Sequence, residues 1–423
     1  MQLYDPQRHL TLAPEPWNAE VARNWLRVWS DSAGAAKVAG MPAWPLHPRD
    51  ASDDASTLTQ AHSLYFGTLG VLLALDRVAA AGLGDMHIST TESLRETHLA
   101  YCQSPDTGER VPSWYLGESS LLTALTLQEL SAPNPARSAQ LAEMIRSNRD
   151  NPTREALWGA PSTMLAALIL WERTQHVDWQ ALFVDSVKAI WSSWFQDEST
   201  GAWLWEQDMY GRLARYVGAG HGWAGNLYPL WRGQELLTVA QRRLLEERTV
   251  QSLEALALVD GGFANWPARA GDERVSLTQW CHGAPGIITA LRYANLPGVL
   301  PMLCKGGATI VDAGPLVKGV GLCHGTDGNG MALLELFRKT GDDAWLASAR
   351  QFAMWAIRQS NEAFKTHGQW RYSLWTGDAG LACFLLDCLD GNSRGMPGVD
   401  TFFDVDPVTA RTQRVHTATQ VRS

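Results

Sequence analysis

Two segments of the chain place a cysteine directly before a histidine, Cys281-His282 and Cys323-His324, and a glycine follows each pair. Thiolate and imidazole groups are ligands that zinc prefers, and catalytic zinc sites use three protein ligands with a fourth position open to substrate. The two cysteines and one histidine would supply such a set. A single cysteine is more often a small buried apolar residue, but a pair in matched motifs favours metal binding.

The spacing does not decide which histidine is the third ligand, because each follows its cysteine directly. If the two segments are equivalent turns of a repeat, Cys281 and Cys323 can face the same point. Each neighbouring histidine then points elsewhere unless its turn is distorted. We therefore expect one turn to differ from the other, and His282 and His324 both stay open as ligands.

These motifs belong to a longer pattern in which a short glycine turn precedes an apolar segment of helical period. Successive copies are 42 to 63 residues apart. Two helices of about 12–15 residues with short connections fill such a step. The first glycines of the seven copies are Gly67, Gly117, Gly159, Gly222, Gly283, Gly325 and Gly377.

The repeat predicts an all-α fold, an α,α-toroid of seven helical hairpins with the glycine turns at one end of the ring. Glycine before a helix allows a tight turn and a close approach to neighbouring backbone. An open solenoid of helix pairs is the alternative, and the irregular steps disfavour it. We expect a single domain over residues 1–407 and a mobile polar tail over 408–423.

Composition excludes several classes of protein. There are 35 Lys and Arg against 44 Asp and Glu, a net charge of −9, so binding to phosphate backbones or acidic membranes is not expected. Six cysteines are too few for a disulfide scaffold. The first residues lack the pattern of a secretory signal. The longest apolar stretch, residues 164–171, is too short to span a bilayer. These features predict a cytoplasmic protein without nucleic-acid or membrane partners.

Four segments resemble the lanthionine synthetase C-like family. They are VGAGHGWAG at 217–225, WCHGAPG at 280–286, GLCHGTDGNG at 321–330 and SLWTGDAG at 373–380. The resemblance covers about residues 63–389 and is closer to the eukaryotic-type branch than to the peptide-antibiotic cyclases. It implies a toroid of seven hairpins with one zinc ion, Zn²⁺, whose ligands would map to Cys281, Cys323 and His324. His282 would then lie outside the ligand set.

The resemblance also implies roles for residues around the metal. A histidine that acts in proton transfer maps to His221, and His282 is the second candidate for that role. A carboxylate maps to Glu155, which would orient the histidine or would merely be solvated at a helix start. Lys318 matches a lysine associated with glutathione, and we group it with His282 as substrate-binding residues.

The residues and the resemblance together predict zinc-dependent thioether formation. Zinc stabilises the thiolate, which is the nucleophile, and a histidine would protonate the enolate that follows addition. The thiol would be a peptide cysteine or glutathione, and the acceptor a dehydroalanine or dehydrobutyrine residue of a peptide or protein. A peptide cyclase of this kind would need a separate dehydratase.

Two alternatives have different chemistry. A zinc- and glutathione-binding scaffold would use the same ligands without turnover. A toroid that acts on carbohydrate would need two carboxylates at the scissile bond. In the glycine turns no pair of acids stands out apart from Glu118 and Asp378, and this alternative leaves Cys281 and Cys323 unexplained.

Overall fold

Each of the seven glycine turns begins a helix. In the computed structural model, which describes residues 2–36, 43–51, 60–84 and 90–403, the seven first glycines are the N-cap residues of seven helices. None of these glycines has a side chain that could accept the free N–H groups of its helix. Their role is to allow the tight backbone turn before the helix. The predicted tail, 408–423, lies outside the described residues, and the single-domain division stays a prediction.

The described residues contain fourteen α-helices, which alternate between two kinds. The bounds of the helices are α1 Ala19–Ala36, α2 Thr68–Ala80, α3 Thr90–Gln103, α4 Glu118–Gln128, α5 Pro135–Asn148, α6 Ala160–Thr174, α7 Val177–Ser192, α8 Trp223–Arg232, α9 Val239–Ala255, α10 Ala284–Ala290, α11 Val299–Ala313, α12 Thr326–Thr340, α13 Asp343–His367 and α14 Asp378–Asp390.

The even-numbered helices are the inner layer of the molecule. Every residue of α8 and α10 is buried, and the other even-numbered helices are exposed or partly exposed only towards their C-terminal ends. The odd-numbered helices bury one face and expose the other, as amphipathic outer helices do. Helix α14 packs on α2, which closes the ring. The fold is therefore the predicted α,α-toroid, and the open solenoid is excluded.

A line of backbone hydrogen bonds joins six of the glycine turns. In five of these six turns, the residue two positions before the first glycine donates its N–H to the carbonyl of the equivalent residue in the next turn, with N–O distances of 2.9–3.3 Å. These bonds bring the backbones of equivalent residues in neighbouring turns together. It follows that two cysteines at this position in adjacent turns must lie side by side. The six residues, from donor to acceptor, are Gly220, Cys281, Cys323, Trp375, Tyr65 and Tyr115.

Three short antiparallel hairpins lie in the connections between helices, two between α7 and α8 and one between α9 and α10. Their strands are β1 Phe195–Gln196, β2 Trp203–Leu204, β3 Gln207–Asp208, β4 Leu213–Ala214, β5 Leu258–Asp260 and β6 Phe263–Asn265. The pairs are β1 with β2, β3 with β4 and β5 with β6. None of the helices in the described ranges combines the length and apolar character that a membrane span requires.

Candidate functional site

Cys281, Cys323 and His324 form a cluster at the end of the ring where the glycine turns lie. One side-chain ligand atom from each lies within 4.8 Å of the other two. Both cysteines are buried, and His324 is partly buried. Two sulfurs and one imidazole nitrogen at this separation fit the donor set of a zinc site with one open position. We call these three residues the Cys/His cluster.

The two thiols of the Cys/His cluster interact strongly. The pKa of Cys281 is held well below its usual value, because its thiolate accepts a hydrogen bond from the Cys323 thiol, and His324 adds to the effect. The pKa of Cys323 is raised well above its usual value, because it is the donor in this pair and is also buried. The protein alone therefore favours one thiolate. A divalent cation would favour the second as well.

The Cys281 and Cys323 turns have different backbones, although both read Cys-His-Gly. Gly283 has φ +110° and ψ −173°, a conformation open only to glycine, whereas Gly325 has φ −124°. Gln279 and His282 exchange backbone hydrogen bonds of 3.0 and 3.2 Å in the first turn. His282 is thereby left out of the cluster that His324 joins, as expected if one turn is distorted.

His221 is bonded to Glu155. The Nδ1 atom of the imidazole lies 2.9 Å from Oε2 of the carboxylate, and His221 retains partial exposure while Glu155 has none. Glu155 also accepts the backbone N–H groups of Leu157 and Trp158 at 3.0 and 2.6 Å. The alternative of a solvated acid at a helix start is therefore wrong.

The pKa of His221 is raised as a result of this contact. Burial alone would lower it, but the hydrogen bond and negative charge of Glu155, together with Cys281, outweigh burial. Gly220, next to His221, donates its N–H to the Cys281 carbonyl, and a Cβ at Gly218 would lie 2.0 Å from the same oxygen. The glycines of this turn thus allow His221 to approach the Cys/His cluster.

His282 lies beside His221 instead of beside the sulfur atoms. The two ring centroids are 5.8 Å apart and the rings are nearly parallel. Tyr216 lies within 6.0 Å of both rings, and Arg269 donates to its hydroxyl. Nδ1 of His282 is buried and has no hydrogen-bond partner among the described residues.

Lys318 lies on the exposed loop before the Cys323 turn. Burial lowers its pKa, while Cys323 and Cys281 act in the opposite direction, so its ammonium group lies within electrostatic reach of both sulfurs. The backbone carbonyl of Lys318 accepts a hydrogen bond of 2.6 Å from Arg49. This end of the cluster is therefore cationic.

Three further residues support the cluster, and sequence reasoning missed them. Gln279 donates its side-chain amide to Sγ of Cys281 at 2.9 Å. The buried hydroxyl of Tyr65 lies beside Cys323. Asn265 accepts the N–H of Ala284 at 2.7 Å and so holds the start of α10, just after the distorted turn. Only Gln279, two residues from Cys281, has a position in the sequence that could have indicated its contact.

The sequence profile described as lanthionine synthetase C-like protein matches residues 58–401. Since this is most of the chain, the chain belongs to that family, and the resemblance of the sequence motifs is confirmed.

Two curated relatives agree with this assignment. Glutathione S-transferase LANCL1 of Danio rerio is 36% identical over 200 residues, and LanC-like protein GCL1 of Arabidopsis thaliana is 31% identical over 200 residues. The matched regions cover 46% and 44% of this chain and 46% and 43% of the relatives, so the chain matches less than half the length of each.

Nisin cyclase is a structural neighbour. Its structure aligns with 88% of this chain and 94% of its own, with a TM-score of 0.56 and 13% sequence identity. This likeness shows a shared toroidal fold.

Proposed function

We propose that this protein is a thiol-addition enzyme that forms thioethers on dehydroalanine or dehydrobutyrine residues. The observation that carries the proposal is the Cys/His cluster facing a histidine whose pKa is raised by Glu155. The names of the relatives, a glutathione S-transferase and a cyclase, support thiol addition as the class of reaction.

Cys281, Cys323 and His324 would hold a zinc ion. When bound, zinc lowers the pKa of a substrate thiol at the open position, so that the thiol is present as its thiolate at neutral pH. As thiolates, Cys281 and Cys323 would balance the charge of the ion. That balance leaves the substrate sulfur more nucleophilic than it would be beside an uncompensated dication.

The reaction then needs one proton at carbon. The thiolate sulfur adds to Cβ of the dehydro residue, a C–S bond forms, and the electron pair of the C=C bond becomes an enolate. Protonation at Cα completes the thioether. His221 is the proposed catalytic acid, since the contact with Glu155 raises its pKa and so favours its protonated form. Glu155 is a positioning residue, because it acts through His221.

We further propose glutathione as the thiol. Lys318 and the neighbouring Arg49 supply positive charge to a carboxylate of the substrate at the entrance to the cluster. A peptide cysteine would use the same sulfur position without this charge match. His282 is the second proposed substrate-binding residue, because its Nδ1 has no hydrogen-bond partner among the described residues.

The carbohydrate alternative loses support. Glu118 is bonded to Arg110 and His98, and Asp378 accepts from Ser360 and from the Arg371 backbone. Both acids are buried and engaged in separate contacts.

The test is thioether formation by the full chain with glutathione and a dehydroalanine peptide, followed by mass spectrometry. His221→Asn should reduce kcat by about 10²–10⁴ with metal content unchanged, because only the proton donor is removed. His176→Asn is the matched control, since His176 is an exposed N-cap residue of α7 and asparagine is a good N-cap.

Wild-type protein that binds zinc and glutathione without product would support the scaffold alternative and contradict catalysis. A cytoplasmic location and the dehydratase partner stay predictions.

A further inference from the structure

A second group of metal-ligand side chains lies away from the Cys/His cluster. His98 and Cys102 are four residues apart, on one face of α3, and Glu118 is the first residue of α4. We call these three the α3–α4 cluster. Their ligand atoms lie within 4.8 Å of one another, and in the described residues only this group and the Cys/His cluster meet that condition.

The distances within the α3–α4 cluster suit a small cation. Nε2 of His98 is 2.7 Å from Oε1 of Glu118 and 3.6 Å from Sγ of Cys102, and that Sγ is 3.8 Å from the same Oε1. The ligand atoms of a tetrahedral zinc ion lie about 3.3–3.6 Å apart, given Zn–N and Zn–S bonds of about 2.0–2.3 Å. A shift of about half an ångström at the His98–Glu118 contact would make room for the ion.

The chemistry of these groups also suits a cation at Cys102. The Cys102 thiol donates towards Oε1 of Glu118, so loss of its proton would leave two negative groups side by side. A dication between them would offset that repulsion and hold the sulfur as thiolate. His98 keeps 16% of its side chain exposed, so an ion can reach the cluster from solvent.

The existing contacts of Glu118 indicate that this cluster binds a metal ion weakly. Arg110 donates to both oxygens of Glu118, and Gln140 donates to Oε1 at 2.9 Å. A carboxylate has about four acceptor positions, so Glu118 can keep contacts with both while it binds a metal. The positive charge of Arg110 nevertheless lowers the affinity, and this cluster has one thiolate where the Cys/His cluster has two.

We propose that His98, Cys102 and Glu118 form a second zinc site, weaker than the one at Cys281, Cys323 and His324. Arg110 and Gln140 orient the Glu118 carboxylate, and the site ties the outer helix α3 to the inner helix α4. This inference does not depend on the chemistry proposed for the Cys/His cluster.

The experiment is a cobalt(II) titration of the metal-free full chain, read by the thiolate-to-cobalt charge-transfer band. In the Cys281→Ala/Cys323→Ala variant, Cys102 should supply the remaining band, at about one third of the wild-type intensity at saturation because one thiolate of three is left. Adding Cys102→Ala should abolish that band. Adding Cys304→Ala should leave it unchanged, since Cys304 is a partly exposed cysteine outside both groups.

A second measurement does not need the double variant to fold. Equilibrium dialysis against saturating zinc should give two ions per wild-type chain and one per His98→Ala chain. Three results would each overturn the site and leave an ion-pair cluster only. They are the absence of a band in the double variant, a band that survives Cys102→Ala, and equal zinc in wild type and His98→Ala. If the Cys/His cluster does not bind zinc, the wild-type chain should instead hold one ion and the His98→Ala chain none.

Discussion

The Cys281 and Cys323 turns read alike but differ in structure. Both place cysteine at the position whose backbone joins neighbouring turns, so the two sulfurs lie within 4.8 Å of each other. They differ at the next residue. In the Cys323 turn the histidine joins the sulfur atoms, while in the Cys281 turn it lies beside His221.

The physical cause is the backbone of Gly283. Its φ of +110° is available because glycine has no Cβ, and the carbonyl of Leu277 would lie 2.5 Å from one. Asn265 fixes the helix start that follows. The difference teaches that identical Cys-His-Gly motifs can place one histidine beside the two cysteines and the other beside His221 when their contacts across the ring differ.

The largest expected effect separates the two histidines. His324→Ala should lose nearly all bound zinc, because it removes a ligand of the Cys/His cluster, whereas His282→Ala should keep it. Metal content by plasma mass spectrometry after purification without added zinc is the measurement. Equal loss in both variants would remove the distinction between the turns.

The next effect concerns the backbone that creates the difference. Backbone strain at such a position costs about 1–3 kcal/mol. Gly283→Ala should lower the free energy of unfolding by more than this, because the new Cβ would also collide with the carbonyl oxygen of Leu277. Gly341→Ala is the control, since Gly341 has φ +70° but open space around it. Denaturant unfolding of both variants gives the comparison, and similar losses would mean that the Leu277 contact costs nothing.

A smaller effect should appear in the pH profile of thiol addition. His221 is the proposed acid, so activity should fall as pH rises through its raised pKa. Glu155→Gln removes the negative charge that raises this pKa, so the descending limb should move to lower pH. Exposed Glu198→Gln is the matched control. An unmoved limb would dissociate Glu155 from proton transfer.

The smallest effect is expected beside the Cys323 turn, at Lys318. Lys318→Ala should raise KM for glutathione by about two- to fivefold with kcat unchanged, as expected for one exposed charge. Steady-state kinetics with Lys365→Ala as control measures it, since Lys365 is exposed on the outer helix α13. A fall in kcat with constant KM would contradict a role in binding.

Much of this architecture could be predicted from the sequence. The first glycines mark the starts of seven inner helices because the turn and the apolar period are both local signals. The pairing of Cys281 with Cys323 could be inferred because equivalent positions in a closed ring face one axis.

Other features depend on contacts that no local pattern encodes. Glu155 and His221 are 66 residues apart, and only the ring brings them together. The choice of His324 over His282 depends on the φ of Gly283, which the motif Cys-His-Gly does not reveal. The three hairpins have strands of two or three residues, too short for an alternating pattern to be visible.

The most direct test of the metal centre is zinc content per chain in wild type and in Cys323→Ala, both purified without added metal, with Cys304→Ala as control. We expect about one zinc in wild type and in the control and almost none in Cys323→Ala. Equal zinc in wild type and Cys323→Ala, or none in either, would contradict the zinc-thiolate centre.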